Sequence, residues 1–278
     1  MSEIKTVVKE TSQDLHILFD KLHANVPASI EPSIKEAYDT WECRAELSTK
    51  LSATLPLFEL RDVAKENLCN LRDNALRCNT SQICDKVRYD AIDAPMALVR
   101  VVAVDAYLAA YWSVYDRLSD VIGRLIGDDG VLFDKFCAHN PKLTEQLMEM
   151  GKPKSFAGFG LNNLLNYVFA ENVYFSYRLR NAYLHDGGMI NTLPILAGLS
   201  MGEAFYVSQD IADAINEDIG NRIKSENVII ARAGDLVEQL MLCSDVIDRM
   251  FVALLRYSCN AFRGQVTAFS ECVGVICN

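Results

Sequence analysis

The sequence predicts a mainly α-helical fold: a bundle of long amphipathic helices, an extra helical region at the N-terminus, and a small β-hairpin inserted before the last long helix. Three observations predict it. Glycine and proline number only 14 and 7 in 278 residues, below the average shares of about 7% and 5%, so the chain is poor in the turn residues a many-stranded fold needs. Apolar residues recur at three- and four-residue steps over several long runs, which is the spacing of one helix face. Gly127-Asp128-Asp129-Gly130 and Gly187-Gly188 close two of those runs, where glycine supplies a helix stop.

Taken in order, helices are expected over about 4–24, about 32–53 with Pro32 in a first-turn position, and about 57–77. Arg77 to Asp93 loses periodicity, holds Cys78, Asn79, Thr80 and Ser81, and stops before Pro95. A loop and a domain boundary are placed there, giving an N-terminal helical region over 1–94 and a helical domain over 95–278. From Met96 the pattern strengthens through Leu98, Val101, Leu108, Tyr111, Tyr115, Leu118, Ile122 and Leu125, one helix of roughly eight turns. Val131 to Met150 reads as a second helix of this domain, and about Leu161 to His185 as a third. Between them Gly151-Lys152-Pro153-Lys154, Gly158 and Gly160 form a locally basic link. Short strands are expected at 195–199, 205–207 and 228–230, around a small acidic helix at about 209–218. The last long helix begins at Asp235, which with Glu238 forms a capping box, and runs to about Phe262.

Composition limits the function. A chain of this length, 50% apolar and 23% charged, fits one large domain or two small ones and buries a core without disulfides or metal. With 37 acidic against 27 basic residues the formal charge is −10, which argues against a protein that coats nucleic acid through bulk charge. The first thirty residues are charged throughout, with no apolar signal core. The most apolar stretch, Met96 to Trp112, is interrupted by Arg100 and Asp105 and falls short of the roughly 18 to 20 residues of a membrane span. A soluble, cytoplasmic protein with no membrane contact is expected. Nine cysteines, an odd number without a CxxC pair, suit a reducing compartment. His16, His23, His139 and His185 sit beside no paired cysteines, so no metal site and no cofactor are expected.

One constellation carries chemistry. Arg180-Asn181-Ala182-Tyr183-Leu184-His185-Asp186-Gly187-Gly188 gathers a permanent cation, an amide and a titratable base at a helix end, a grouping suited to a phosphate. On an unbroken helix Asn181 and His185 project within about 40° of each other, whereas Arg180 and His185 stand about 140° apart and about 7.5 Å along the axis. Arg180 therefore converges with His185 only through its long side chain or through a second copy of the helix. A symmetric dimer supplies that copy, because an isologous interface brings identical patches together. The carbonyl end of the helix favours a protonated imidazole, which keeps His185 in the range for acid or base work.

These residues resemble the HEPN domains, all-α units whose catalytic members carry an Arg, four to six residues, then His, very often as RNxxxH. The resemblance covers about residues 96–262. From the 15 Arg, 17 Asn and four His present, the RNxxxH form is expected by chance only about 0.01 times in such a chain. The resemblance implies a metal-independent endoribonuclease, in which the RNA's own 2′-hydroxyl attacks the adjacent phosphorus to leave a 2′,3′-cyclic phosphate and a 5′-hydroxyl. It implies a homodimer with a composite site, a setting in antiviral defence or toxin-type growth control, and a regulatory or antitoxin partner. His185 moves a proton, Arg180 meets the phosphorane's charge, and Asn181 either orients the imidazole or binds phosphate. DNA lacks the attacking hydroxyl and is not expected to be cut. Toxin members often carry a nucleotidylated tyrosine two residues after the His; Gly187 stands there instead.

RNA needs a cationic approach. Lys152, Lys154, Arg178 and Arg180 against Glu171 make 152–185 locally +3, and Lys152, Lys154 and Arg178 are the expected substrate contacts. Residues 203–218, with five acids and no base, are expected to be held away from that segment. Asp116 is a candidate acid behind Arg180 or His185, with an ordinary surface ion pair as the bland alternative. Tyr107, Tyr111, Trp112 and Tyr115 recur at helical spacing and read as core or dimer interface, and Tyr174 and Tyr177 as core before base-stacking. The alternative function is a non-catalytic HEPN-like module that binds a nucleotide or a protein partner.

Overall fold

A computed structural model describes residues 2–25, 46–77, 86–89, 92–126, 170–184, 205–207, 209–223 and 228–272. The described residues are mainly helical, as expected. The helices are α1 (Glu3–Asn25), α2 (Leu47–Ser52), α3 (Leu55–Arg77), α4 (Met96–Ile126), α5 (Ala170–Leu184), α6 (Gln209–Ile223) and α7 (Leu236–Cys272). Two short antiparallel strand pairs join them: β1 (Lys86–Tyr89) with β2 (Ile92–Pro95), and β3 (Tyr206–Val207) with β4 (Gly234–Asp235). The expected helix over 131–150, the strand at 195–199, residues 32–45 of the second expected helix, and residues 161–169 and 185 of the helix expected over 161–185 lie outside the described residues.

The 31 residues of α4 span about 46 Å and form the axis of the bundle, with α2, α3, α5 and α7 packed around it. Val104, Leu108, Tyr111, Tyr115, Leu118, Ile122 and Leu125 are all buried, so the helix is apolar on more than one side because it has neighbours on more than one side. Three tyrosines stack along it: Tyr107 to Tyr111 at 5.9 Å and Tyr111 to Tyr115 at 4.6 Å between ring centres, continued by Phe251 of α7 at 4.9 Å from Tyr115.

The N-terminal helices join the same core. α1 buries Ile4, Val8, Leu15 and Phe19, sets Phe19 against Phe262 at 5.6 Å, and donates from Ser12 Oγ to the Ser48 carbonyl of α2 at 2.8 Å. The 94/95 boundary thus falls inside β2, one residue before α4, and one hydrophobic core draws on residues from both sides of it.

The strands depart from expectation in two places. The stretch expected as loop before Pro95 contains the β1–β2 hairpin, with Tyr89 opposite Ile92 and Lys86 opposite Pro95. Val228 to Ile230 is not a strand, although β-branched. Its neighbourhood is held by side-chain amides: Asn216 Oδ1 accepts from the Ile230 and Ala231 amides at 3.1 and 2.9 Å, and its Nδ2 donates to the Ala231 carbonyl at 2.8 Å. Gln239 does the same for Arg232, accepting from its amide at 2.9 Å and donating to its carbonyl at 2.8 Å. Buried or half-buried backbone groups need partners, and two amide side chains supply them here in place of a second strand. Tyr206 pairs instead with Asp235 and Val207 with Gly234.

α7 starts where its capping residues predict, Asp235 Oδ1 accepting from the Glu238 amide at 2.9 Å. It runs through Gly264 to Cys272, beyond the expected end, because Phe262 and Val266 are both buried against the bundle. α6 is likewise longer than expected, reaching Ile223.

Candidate active site

The first half of the motif lies on α5, which packs between α4, α6 and α7. Val173, Phe175 and Leu179 are its buried apolar contacts. Ser176 Oγ returns a hydrogen bond to the Val173 carbonyl at 2.8 Å, and the Asn172 carbonyl accepts from Cys243 Sγ of α7 at 3.1 Å. The helix is thereby fixed in rotation, and Arg180 falls on the side that meets α4.

There the Arg180 guanidinium lies over the Trp112 ring, 5.0 Å from its centre. Trp112 is 3% exposed and also packs against Tyr177 of α5, with ring centres 5.8 Å apart; Tyr174 meets Tyr177 edge-on at 6.3 Å. Arg180 Nε is buried without a hydrogen-bond partner among the described residues. Several other arginines of the bundle with limited exposure hold carboxylates: Arg61 with Asp248, Arg72 with Asp73 and Asp235, Arg124 with Asp120, Arg178 with Asp218; the fully buried Arg100 lies over the Phe205 ring, 5.6 Å from its centre. Among the described residues Arg180 pairs with none, and its charge rests on an indole face.

Arg178 and Arg180 therefore sit in unlike surroundings two residues apart. Arg178 Nε is 3.2 Å from Asp218 Oδ2 of α6. This corrects the expectation that 203–218 is held away from the basic segment. α6 buries Ala212, Ile215 and Ile219 and packs on α5 to do so, which carries Asp218 onto Arg178.

Asp116 is half-buried on α4, one turn beyond Trp112. Asn181 belongs to α5, while its side chain, together with His185, Lys152 and Lys154, lies outside the described residues. Tyr107, Tyr111, Trp112 and Tyr115 are core residues, and so is Tyr174. One acid of α4 stands outside the motif. Asp105, two turns before Trp112 on the same side of α4, has Oδ1 buried without a hydrogen-bond partner among the described residues, and burial raises its carboxyl above the usual range. Its signal in the sequence was an acid interrupting the most apolar stretch, at a seven-residue interval from a tryptophan.

No known family model matches the chain, and neither does any curated protein or solved structure. No helix among the described residues is long and apolar enough to cross a membrane.

Proposed function

We propose that the protein is a HEPN-like endoribonuclease that cleaves RNA without a metal ion and acts as a homodimer, in microbial defence or toxin-type growth control. The observation that carries this reading is Arg180, five residues before the RNxxxH histidine in the sequence: a half-buried guanidinium held by Trp112 and not neutralised by a carboxylate among the described residues. Such a cation is disposed to take an anion, and its planar fork of donors matches phosphate oxygens.

In the proposed reaction the 2′-oxygen bonds to phosphorus as its proton passes to a base, and the bond from phosphorus to the 5′-oxygen breaks as that oxygen gains a proton. His185 handles one of these transfers and Arg180 meets the charge that builds on the phosphorane. Asn181 orients the imidazole or binds phosphate; Lys152, Lys154 and Arg178 receive the flanking backbone. Because the nucleophile belongs to the substrate, the same residues leave DNA intact. The purified protein, incubated with single-stranded RNA in EDTA, is expected to yield fragments with 2′,3′-cyclic phosphate and 5′-hydroxyl ends.

A second reading is favoured by the Arg178–Asp218 pair and the charge of −10: a helical module that holds a nucleotide phosphate or a protein partner and cuts nothing. RNA that stays intact while a nucleotide binds with Arg180-dependent affinity selects this one.

A further inference from the structure

We infer that Trp112 is a positioning residue for Arg180, presenting its guanidinium to phosphate with the donor edge unspent; the inference rests on the phosphate-binding role of Arg180 in the proposed reaction. A buried or half-buried cation needs compensation, and a carboxylate provides it by occupying the N–H fork, as Asp248 does for Arg61. An aromatic face provides it differently. The ring quadrupole attracts the cation from above its plane, strongest for tryptophan, so the in-plane N–H groups of Arg180 stay available. Nε is the nitrogen buried without a partner among the described residues, so an incoming phosphate meets the terminal nitrogens.

The support is itself buried. Trp112 stands in the buried middle of α4, and Tyr177, one turn before Arg180 on α5, packs against the same indole. One ring therefore fixes both the helix that carries Arg180 and the guanidinium. A rotamer change in Arg180 gives up the stack, which narrows the side chain to one direction before substrate arrives.

The test is a double-mutant cycle read on binding of an RNA oligonucleotide with 2′-deoxy substitutions, which binds without being cut, and in parallel on cleavage of the all-ribose strand. W112L is expected to weaken binding about tenfold and R180A by at least as much, with W112L/R180A no weaker than R180A alone. W112F, which keeps an aromatic face, is expected to stay within about threefold of the wild type. In cleavage W112L is expected to lower kcat more than it raises KM. Wild-type binding by W112L overturns the inference, and so do losses that add in full, the result expected of a merely structural tryptophan. Should W112L fail to fold, the Arg180 Nε–H resonance decides: a ring-current shift in the wild type that is reduced in W112F and W112H supports the stack, and an unshifted resonance in the wild type overturns it. Coupled binding without cleavage of all-ribose RNA overturns the ribonuclease reading and leaves the positioning role standing. A wild-type protein that binds no RNA overturns both.

Discussion

Arg61 of α3 and Asp248 of α7 form a two-point ion pair through the bundle, Nη1 to Oδ1 at 2.7 Å and Nη2 to Oδ2 at 3.1 Å. Arg61 is 4% exposed. Tyr115 of α4 completes the group, accepting from Arg61 Nη1 at 2.8 Å and donating to Asp248. Three helices from both ends of the chain are thus tied at one buried point; burial opposes the charge of Arg61, but Tyr115 and Asp248 together hold its guanidinium well above the ordinary pKa.

Removing one partner of this pair leaves a buried charge alone. Asp248→Leu is expected to cost about 3–5 kcal/mol of unfolding free energy, and Arg61→Leu with Asp248→Leu together clearly less than the sum of the two single changes. Urea unfolding of the three variants checks this; strict additivity contradicts it.

If RNA meets Arg178 as proposed, Asp218 competes with it for that cation. Asp218→Asn is expected to tighten RNA binding about two- to fivefold at low salt, since exposed pairs are worth at most about 1 kcal/mol, and the gain is expected to shrink as salt rises. Fluorescence anisotropy at two ionic strengths measures it. Unchanged affinity at low salt would remove Arg178 from the RNA path.

Gly234 has φ of 141°, a region that L-residues rarely adopt, with open space where a Cβ would stand. Gly234→Ala is therefore expected to destabilise through the backbone alone, by about 1–3 kcal/mol, without repacking the core. Thermal melting with an unaltered near-ultraviolet dichroism spectrum is the expected result.

Burial pushes the Cys243 thiol up to about 12 from an ordinary value near 9. The unfolded chain loses that proton first, so between pH 9 and 12 the folded state binds more protons and stability falls as pH rises. The buried Tyr107, Tyr111 and Tyr115 hydroxyls, also raised by burial, act in the same direction. Denaturant midpoints from pH 8 to 11 are expected to fall, with a smaller fall in Cys243→Ser, measured against that variant's own midpoint at pH 8. At pH 8 iodoacetamide is expected to spare Cys243 until the protein unfolds.

The parts of the fold legible in the sequence are those decided locally. α4 could be read because its apolar steps persist from Met96 and a glycine pair closes the run, and the start of α7 because Asp235 and Glu238 carry their own capping chemistry. What depends on distant contacts was not legible. The last helix reads as ending near Phe262, but burial of Val266 against the bundle carries α7 past it. Val228-Ile229-Ile230 reads as a strand, but Asn216 and Gln239, one before and one after it, take up the backbone groups around it. The site divides in the same way. Arg180 and Asn181 stood out as a motif, whereas Trp112, at ordinary core spacing, gained its significance only when α5 crossed α4 and laid Arg180 on it.

The central claim is that Arg180 and His185 cleave RNA together. End analysis of RNA incubated in EDTA with the wild type, Arg180→Ala and His185→Ala tests it most directly. The account predicts 2′,3′-cyclic phosphate ends from the wild type and a loss of at least about a hundredfold in each variant, at unchanged thermal stability. Cleavage that persists undiminished in both folded variants would contradict it.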